Sequence, residues 1–184
     1  MILDTIRKRR SVYPEQYNDT PVTKKEIAQI LEAANWAPTH KKTEPWRFKV
    51  FRESAKGHLG TFLADKYKET TEKFSEFKQN KIKLKASKSS CIIAICMQRD
   101  PNNTLPEWEE IAAVAMAVQN MWLVAHDLGV GAYWSSPALI QYLGEHVHLN
   151  EGEKCLGFFY MGKYDGELFE GVRKTSIEEK TVWI

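Results

Sequence analysis

Ser90-Cys91-Ile92-Ile93-Ala94-Ile95-Cys96-Met97 is a continuous apolar run of strand length. From Cys91 onward neither face carries a charged side chain, which predicts a central strand covered on both sides. Cys155-Leu156-Gly157-Phe158-Phe159-Tyr160-Met161 has the same character and predicts a second such strand. Trp46 to Phe51 alternates apolar and basic residues, and Ala132-Tyr133-Trp134 is short and β-prone, which makes four strands in all. Strands buried on both faces need helices above and below them, so the expected architecture is a central sheet flanked by helices.

The chain supplies those helices. Thr23-Lys24-Lys25-Glu26 is a capping box, and Ile27, Ile30, Leu31 and Ala34 follow at helical spacing to about Trp36. Ser54 to Ser87 is lysine-rich, with Leu59, Phe62, Leu63, Tyr67, Phe74 and Phe77 at near-helical intervals, which predicts one or two amphipathic helices. Pro106 opens a core helix to about Asp127, apolar almost all round from Ala112 to Val118 and closed by Leu128-Gly129-Val130-Gly131. Its small side chains allow another backbone, or a flat ligand, to approach closely. Met1 to Arg10 reads as a short helix with Ile2, Leu3 and Ile6 on one face. Ser11 to Val22 reads as extended and turn-rich, with Pro14 and Pro21 excluding helix. Ser136-Pro137 has the order of N-cap then first-turn proline and predicts a helix through Leu143. The tail from Gly162 ends in Val182-Trp183-Ile184, residues expected to dock on their own domain or on a second copy of the chain. No repeat, low-complexity tract or domain boundary interrupts the chain, so 1–184 is expected to be one domain.

Composition narrows the function classes. The chain has 184 residues, 43% hydrophobic and 27% charged, with a formal net charge of +2. That balance is globular, and the charge is too small to imply a nucleic-acid partner or an anionic membrane surface. The run Ile111 to Ala125 is too short, and too interrupted by Gln119-Asn120, to span a bilayer. No signal peptide is visible, and the three cysteines, Cys91, Cys96 and Cys155, form no CxxC pair. Buried reduced thiols in a cytoplasmic protein are expected.

Two stretches carry unspent polar groups. Trp36 to Val50 leaves a helix, passes Pro38 and Pro45, and sets Thr39, His40, Lys41, Lys42, Thr43 and Glu44 between the prolines. Rigidly framed polar loops of that kind carry ligand sites. Arg7-Lys8-Arg9-Arg10-Ser11 puts four cations and a hydroxyl at a helix end; one or two suit the helix dipole, and adjacent arginines with a serine also suit a phosphate. Lys81-Ile82-Lys83-Leu84-Lys85 reads as solvated surface. No P-loop, GxGxxG or GxSxG motif occurs, His146-x-His148 lacks a third metal ligand, and no cysteine has a catalytic setting.

The ordered set of these stretches resembles the nitroreductase family of flavin-dependent oxidoreductases. Arg9-Arg10-Ser11, Ala37-Pro38-Thr39-His40 and Pro45-Trp46-Arg47-Phe48 match its N-terminal motifs in order and spacing. Leu128 to Trp134 matches its central motif, and Gly157-Phe158-Phe159-Tyr160-Met161-Gly162 its last strand. Ala-Pro-Thr-His and Pro106-Glu107-Trp108-Glu109 are similar to the short branch of that family.

The resemblance implies an α+β fold, a mostly antiparallel sheet flanked by helices, in a homodimer that binds FMN at the subunit interface. It implies that Arg9, Arg10 and Ser11 hold the phosphate and ribityl end, helped by Arg173 or Lys174. Pro38, Thr39 and His40 would reach the cofactor from the other subunit, and Trp134, Ser135 and Ser136 would line the ring. Trp36 stands where this branch can carry an arginine, as does Ser135; Tyr13 replaces a frequent basic residue, and Glu44 a glutamine. The implied activity passes hydride from NADH or NADPH through FMN to a nitro compound or quinone, with no catalytic side chain and no metal. The helix turn from His126 to Gly129 and the lysine-rich segment from Phe74 to Lys85 would be walls of the pocket. The alternative is a flavin-binding protein of the same fold without nicotinamide-dependent turnover. A small nucleic-acid-binding module is a third reading, opposed by the charge and the apolar strands.

Overall fold

The computed structural model describes residues 2–184, so the predicted helix start at Met1 lies outside the described residues. Its elements are α1 (Ile2–Lys8), α2 (Lys24–Asn35), β1 (Trp46–Phe51), α3 (Glu53–Thr70), α4 (Glu76–Lys88), β2 (Cys91–Gln98), α5 (Glu107–Asp127), β3 (Val130–Ser135) and β4 (Glu153–Lys163). The four strands form one sheet in the order β1-β2-β4-β3, antiparallel at every pairing.

Alternation along β2 divides the core in two. Cys91, Ile93, Ile95 and Met97 face a cluster built with α2 and α5 residues such as Ile30, Val114 and Met121. Ile92, Ala94 and Cys96 face Leu59, Leu63, Ala86 and Leu143 from α3, α4 and the chain after β3. The expected α+β class, with helices on both faces of the sheet, is the observed one. A register shift between Ile95 and Cys96 makes Leu156 an extra residue of β4. At that shift Leu156 joins the α2–α5 side while Cys155 packs on the other. All three cysteines are free and buried. Among the described residues no helix is long and apolar enough to cross a membrane.

The capping box of α2 forms as read: the Glu26 amide donates to Thr23 Oγ1 at 3.2 Å, and the Thr23 amide to Glu26 Oε2 at 2.8 Å. The lysine-rich segment resolves into two helices, α3 and α4. Three expectations need correction. Pro14 does not exclude helix but starts a 3-10 turn, Pro14–Gln16, where its missing N–H costs nothing. Ser136 is not an N-cap: Pro137 holds that position without a side-chain bond, and Ala138–Glu145 winds as a 3-10 helix. Strands β3 and β4 outrun their apolar centres, because pairing continues through Val130↔Lys163 and Gln98↔Glu153. Among the described residues the terminal Val182, Trp183 and Ile184 find no surface to dock on, being 83%, 93% and 120% exposed.

Candidate functional site

The chain leaving α1 runs alongside the edge strand β3. Ser11 forms a parallel bridge with Ala132, and the Val12 amide donates to the Ala132 carbonyl at 3.0 Å. That carbonyl also accepts from Trp122 Nε1 of α5 at 3.1 Å, which fixes the indole plane. The Arg9 guanidinium lies over that indole, 4.5 Å from the ring centroid. Its Nη1 is buried and has no hydrogen-bond partner. Burial pulls the Arg9 pKa below the usual arginine value, and Arg10 and Arg173 nearby add repulsion in the same direction. A half-buried guanidinium with an unspent donor, placed among other cations, has the chemistry to bind an anion.

Arg10 does something different. Its Nη1 donates to the carbonyls of Arg7 and Arg9, both at 2.6 Å, and its Nε to the Phe169 carbonyl of the tail at 2.9 Å. Arg173 shares a cleft with Arg7, Lys8 and Arg10, bounded by Asp4 and Glu170. Lys174 is exposed beside it in sequence. His126, at the end of α5, opens onto an adjoining hollow with Lys8, Arg10 and Tyr164. Burial lowers its pKa, and Arg9, Arg10 and Lys8 lower it further against the opposing pull of Asp127.

Further along β3, Trp134 is half-buried and its Nε1 donates to the Leu156 carbonyl at 3.3 Å. Gly157 makes room for it: φ is +154° there, and a Cβ would collide with the indole nitrogen. Ser135 opens into a cavity of about 450 Å3. Its walls are Leu63 and Tyr67 of α3, Lys78, Lys81, Ile82 and Lys85 of α4, and Pro137 to Leu139, with Tyr160 also lining it. Ser136 is exposed beside it. Lys85 Nζ donates to the Tyr133 hydroxyl at 3.2 Å, and the Tyr13 ring lies 4.8 Å from that of Tyr133.

The polar loop after α2 sits elsewhere. Trp36 caps α2, is 77% exposed, and donates from Nε1 to Glu32 at 2.8 Å. Pro38 is exposed, and Thr39 Oγ1 lies 3.1 Å from Thr43 Oγ1. His40 Nδ1 lies 2.6 Å from Glu109 Oε2, and Lys41 Nζ donates to the Thr104 carbonyl at 3.1 Å. Lys41, Lys42 and Glu44 all have positive φ, a concentration of backbone strain that these tethers hold in place. Glu109 and Trp122 are thirteen residues apart on α5, roughly 20 Å at the helical rise. The chain therefore brings Arg173 near Arg9, with Ser11 two residues further along, and keeps Thr39 and His40 away from them.

Sequence reading missed Trp122, Tyr133 and Glu109. Trp122 sits in an apolar helix that reads as core, whereas the segment from Phe74 to Lys85, expected as a pocket wall, does line a cavity through Lys78, Lys81, Ile82 and Lys85. Glu109 had a signal, since Pro106-Glu107-Trp108-Glu109 and His40 belong to the same resemblance. His146, half of the His-x-His pair, stacks 4.8 Å from Phe62 and 6.1 Å from Phe51.

The chain is similar to known proteins over nearly its whole length. The protein YfhC of Bacillus subtilis, provisionally named an NAD(P)H nitroreductase, is 29% identical over 98% of this chain and 92% of its own length. A nitroreductase-like family protein from Bacillus cereus superposes with a TM-score of 0.83 at 28% identity, covering 100% of this chain and 96% of the other. A provisionally named nitroreductase from Desulfovibrio desulfuricans, solved in complex with FMN, shares the fold: TM-score 0.75, 24% identity, 100% and 96% coverage. The Nitroreductase family profile matches residues 6–163, from α1 through the last strand. With that match spanning the basic cluster after α1, the sheet and the polar loop, the chain belongs to the nitroreductase family.

Proposed function

We propose that the protein is an FMN-dependent oxidoreductase that works as a homodimer, taking electrons from NADH or NADPH and passing them to a nitroaromatic, quinone or similar acceptor. The observation that carries this reading is the unpartnered, buried Arg9 Nη1 over Trp122, with Arg173 near enough to repel it. A phosphate monoester fits that set, because it brings several strong acceptors and two charges to donors that lack them. Arg9, Ser11 and Arg173 or Lys174 would hold the phosphate of FMN. Trp134, Ser135 and Ser136 would line its ring at the mouth of the apolar cavity. When bound there, FMN supplies the hydride chemistry that no side chain of this protein can.

The residues then have defined tasks. The cavity walls from α3 and α4 exclude water from the ring. Lys85, anchored on Tyr133, offers a fixed positive charge where negative charge develops on reduction. Trp36, Pro38, Thr39 and His40 complete the site of the neighbouring subunit, which the separation of about 20 Å along α5 supports. The exposed Trp36, Trp108 and Trp183 supply apolar surface for that association. Free, buried thiols accord with a reducing cytoplasm.

The test is reconstitution. The purified protein mixed with FMN is expected to retain it through gel filtration with a shifted flavin spectrum, and Arg9→Gln to release it. A protein that retains no FMN would overturn the reading.

A further inference from the structure

The resemblance implies a phosphate contact for Arg10, yet three backbone carbonyls hold its Nη1 and Nε, and one of them belongs to the tail. We propose that Arg10 is a positioning residue, a latch that seats residues 169–173 across the end of α1 so that Arg173 meets Arg9 and the pair recognises a phosphate monoester. This proposal rests on the flavin-site reading above and deepens it, because it assigns how the phosphate half of the site is assembled.

Four observations carry it. The Arg7 and Arg9 carbonyls hold one Nη of Arg10 at 2.6 Å, so the fork is anchored on the side of α1. Its Nε then reaches the Phe169 carbonyl at 2.9 Å, 159 positions away in sequence. The chain crosses the guanidinium at Gly171, where a Cβ would collide with it. Two residues on, Arg173 stands in the cleft with Arg10 and close enough to Arg9 to depress its pKa.

This arrangement is poised. Arg9, Arg10 and Arg173 carry like charge, and the bond from Arg10 to the Phe169 carbonyl, next to the packed Leu168, holds the tail against that repulsion. A dianion between Arg9 and Arg173 turns the repulsion into attraction, so anion binding and tail docking reinforce each other. Lysine cannot replace arginine in this role. It keeps the charge but lacks the planar fork that spans α1 and the tail.

Binding of FMN and of riboflavin, which lacks the phosphate, separates the latch from the rest of the site. Arg10→Lys and Gly171→Ala are each expected to weaken FMN binding roughly tenfold or more, the scale of losing one charge-assisted contact, and to leave riboflavin affinity unchanged. The double variant is expected to lose little more than either single one, since both break the same contact. In the flavin-free protein, inorganic phosphate is expected to slow tryptic cleavage after Arg173 and Lys174 in the parent chain and not in Gly171→Ala. Wild-type FMN affinity in both variants, or equal loss of both flavins, would overturn the latch. A parent chain that binds neither flavin would instead remove the flavin site, a different result from a parent that binds FMN and variants that do too.

Discussion

The Arg9 guanidinium rests on the Trp122 ring at 4.5 Å, and Trp122 is itself fixed by its bond to the Ala132 carbonyl of β3. A buried helix thus sets the height and tilt of an N-terminal cation. Trp122→Leu removes both the platform and the bond. A cation–π contact is worth ~0.5–2 kcal/mol, so FMN affinity is expected to fall several-fold, with riboflavin affected less. Paired titrations of the two flavins check it, and equal losses would show that Trp122 acts on the ring rather than the phosphate.

The separation of His40 from Arg9 makes a prediction about assembly. If each site takes its phosphate end from one subunit and its polar loop from the other, two damaged chains can complement. Arg9→Gln and a Thr39→Ala/His40→Ala chain should each retain little FMN alone. Mixed and refolded together, they should form heterodimers with one site intact and one doubly damaged. Flavin content of tagged heterodimers measures this; none recovered would place both halves in the same subunit.

Stability should fall on mild acidification. His126 is held below the ordinary histidine value of 6.5 by burial and by Arg9, Arg10 and Lys8, against Asp127. His146 is lowered too, by burial and by His58. The unfolded chain binds these protons near pH 6.5 and the folded chain only at lower pH. In that window the unfolded state therefore holds more protons, and stability drops as pH falls. His126→Gln is expected to flatten part of this slope in denaturant melts between about pH 7 and 5. An unchanged slope would remove His126 from the account.

The capping box predicts a simple stability effect. Thr23→Ala leaves the Glu26 amide without its acceptor and is expected to cost about 1 kcal/mol in chemical denaturation, with flavin affinity unaltered.

Much of this was legible in the residues because periodicity reports burial directly. The run from Cys91 to Met97 showed a strand covered on both faces, and Thr23 with Glu26 placed α2. What stayed hidden depends on partners distant in sequence. Arg10 and Arg9 are adjacent and chemically identical, yet one meets the Phe169 carbonyl and the other the Trp122 ring. The bond of Lys85 to Tyr133, 48 positions away in sequence, has no local signal. Ser136-Pro137 reads as a helix start, but Pro137 takes the cap position itself.

The central claim is that nicotinamide electrons pass through a flavin held by this chain, and anaerobic stopped-flow absorbance of the FMN-loaded protein tests it most directly. The account predicts that NADH or NADPH bleaches the visible flavin band and that adding a nitroaromatic or a quinone restores it. A bound flavin left unbleached by both donors would contradict it and leave a flavin-binding protein without nicotinamide-dependent turnover.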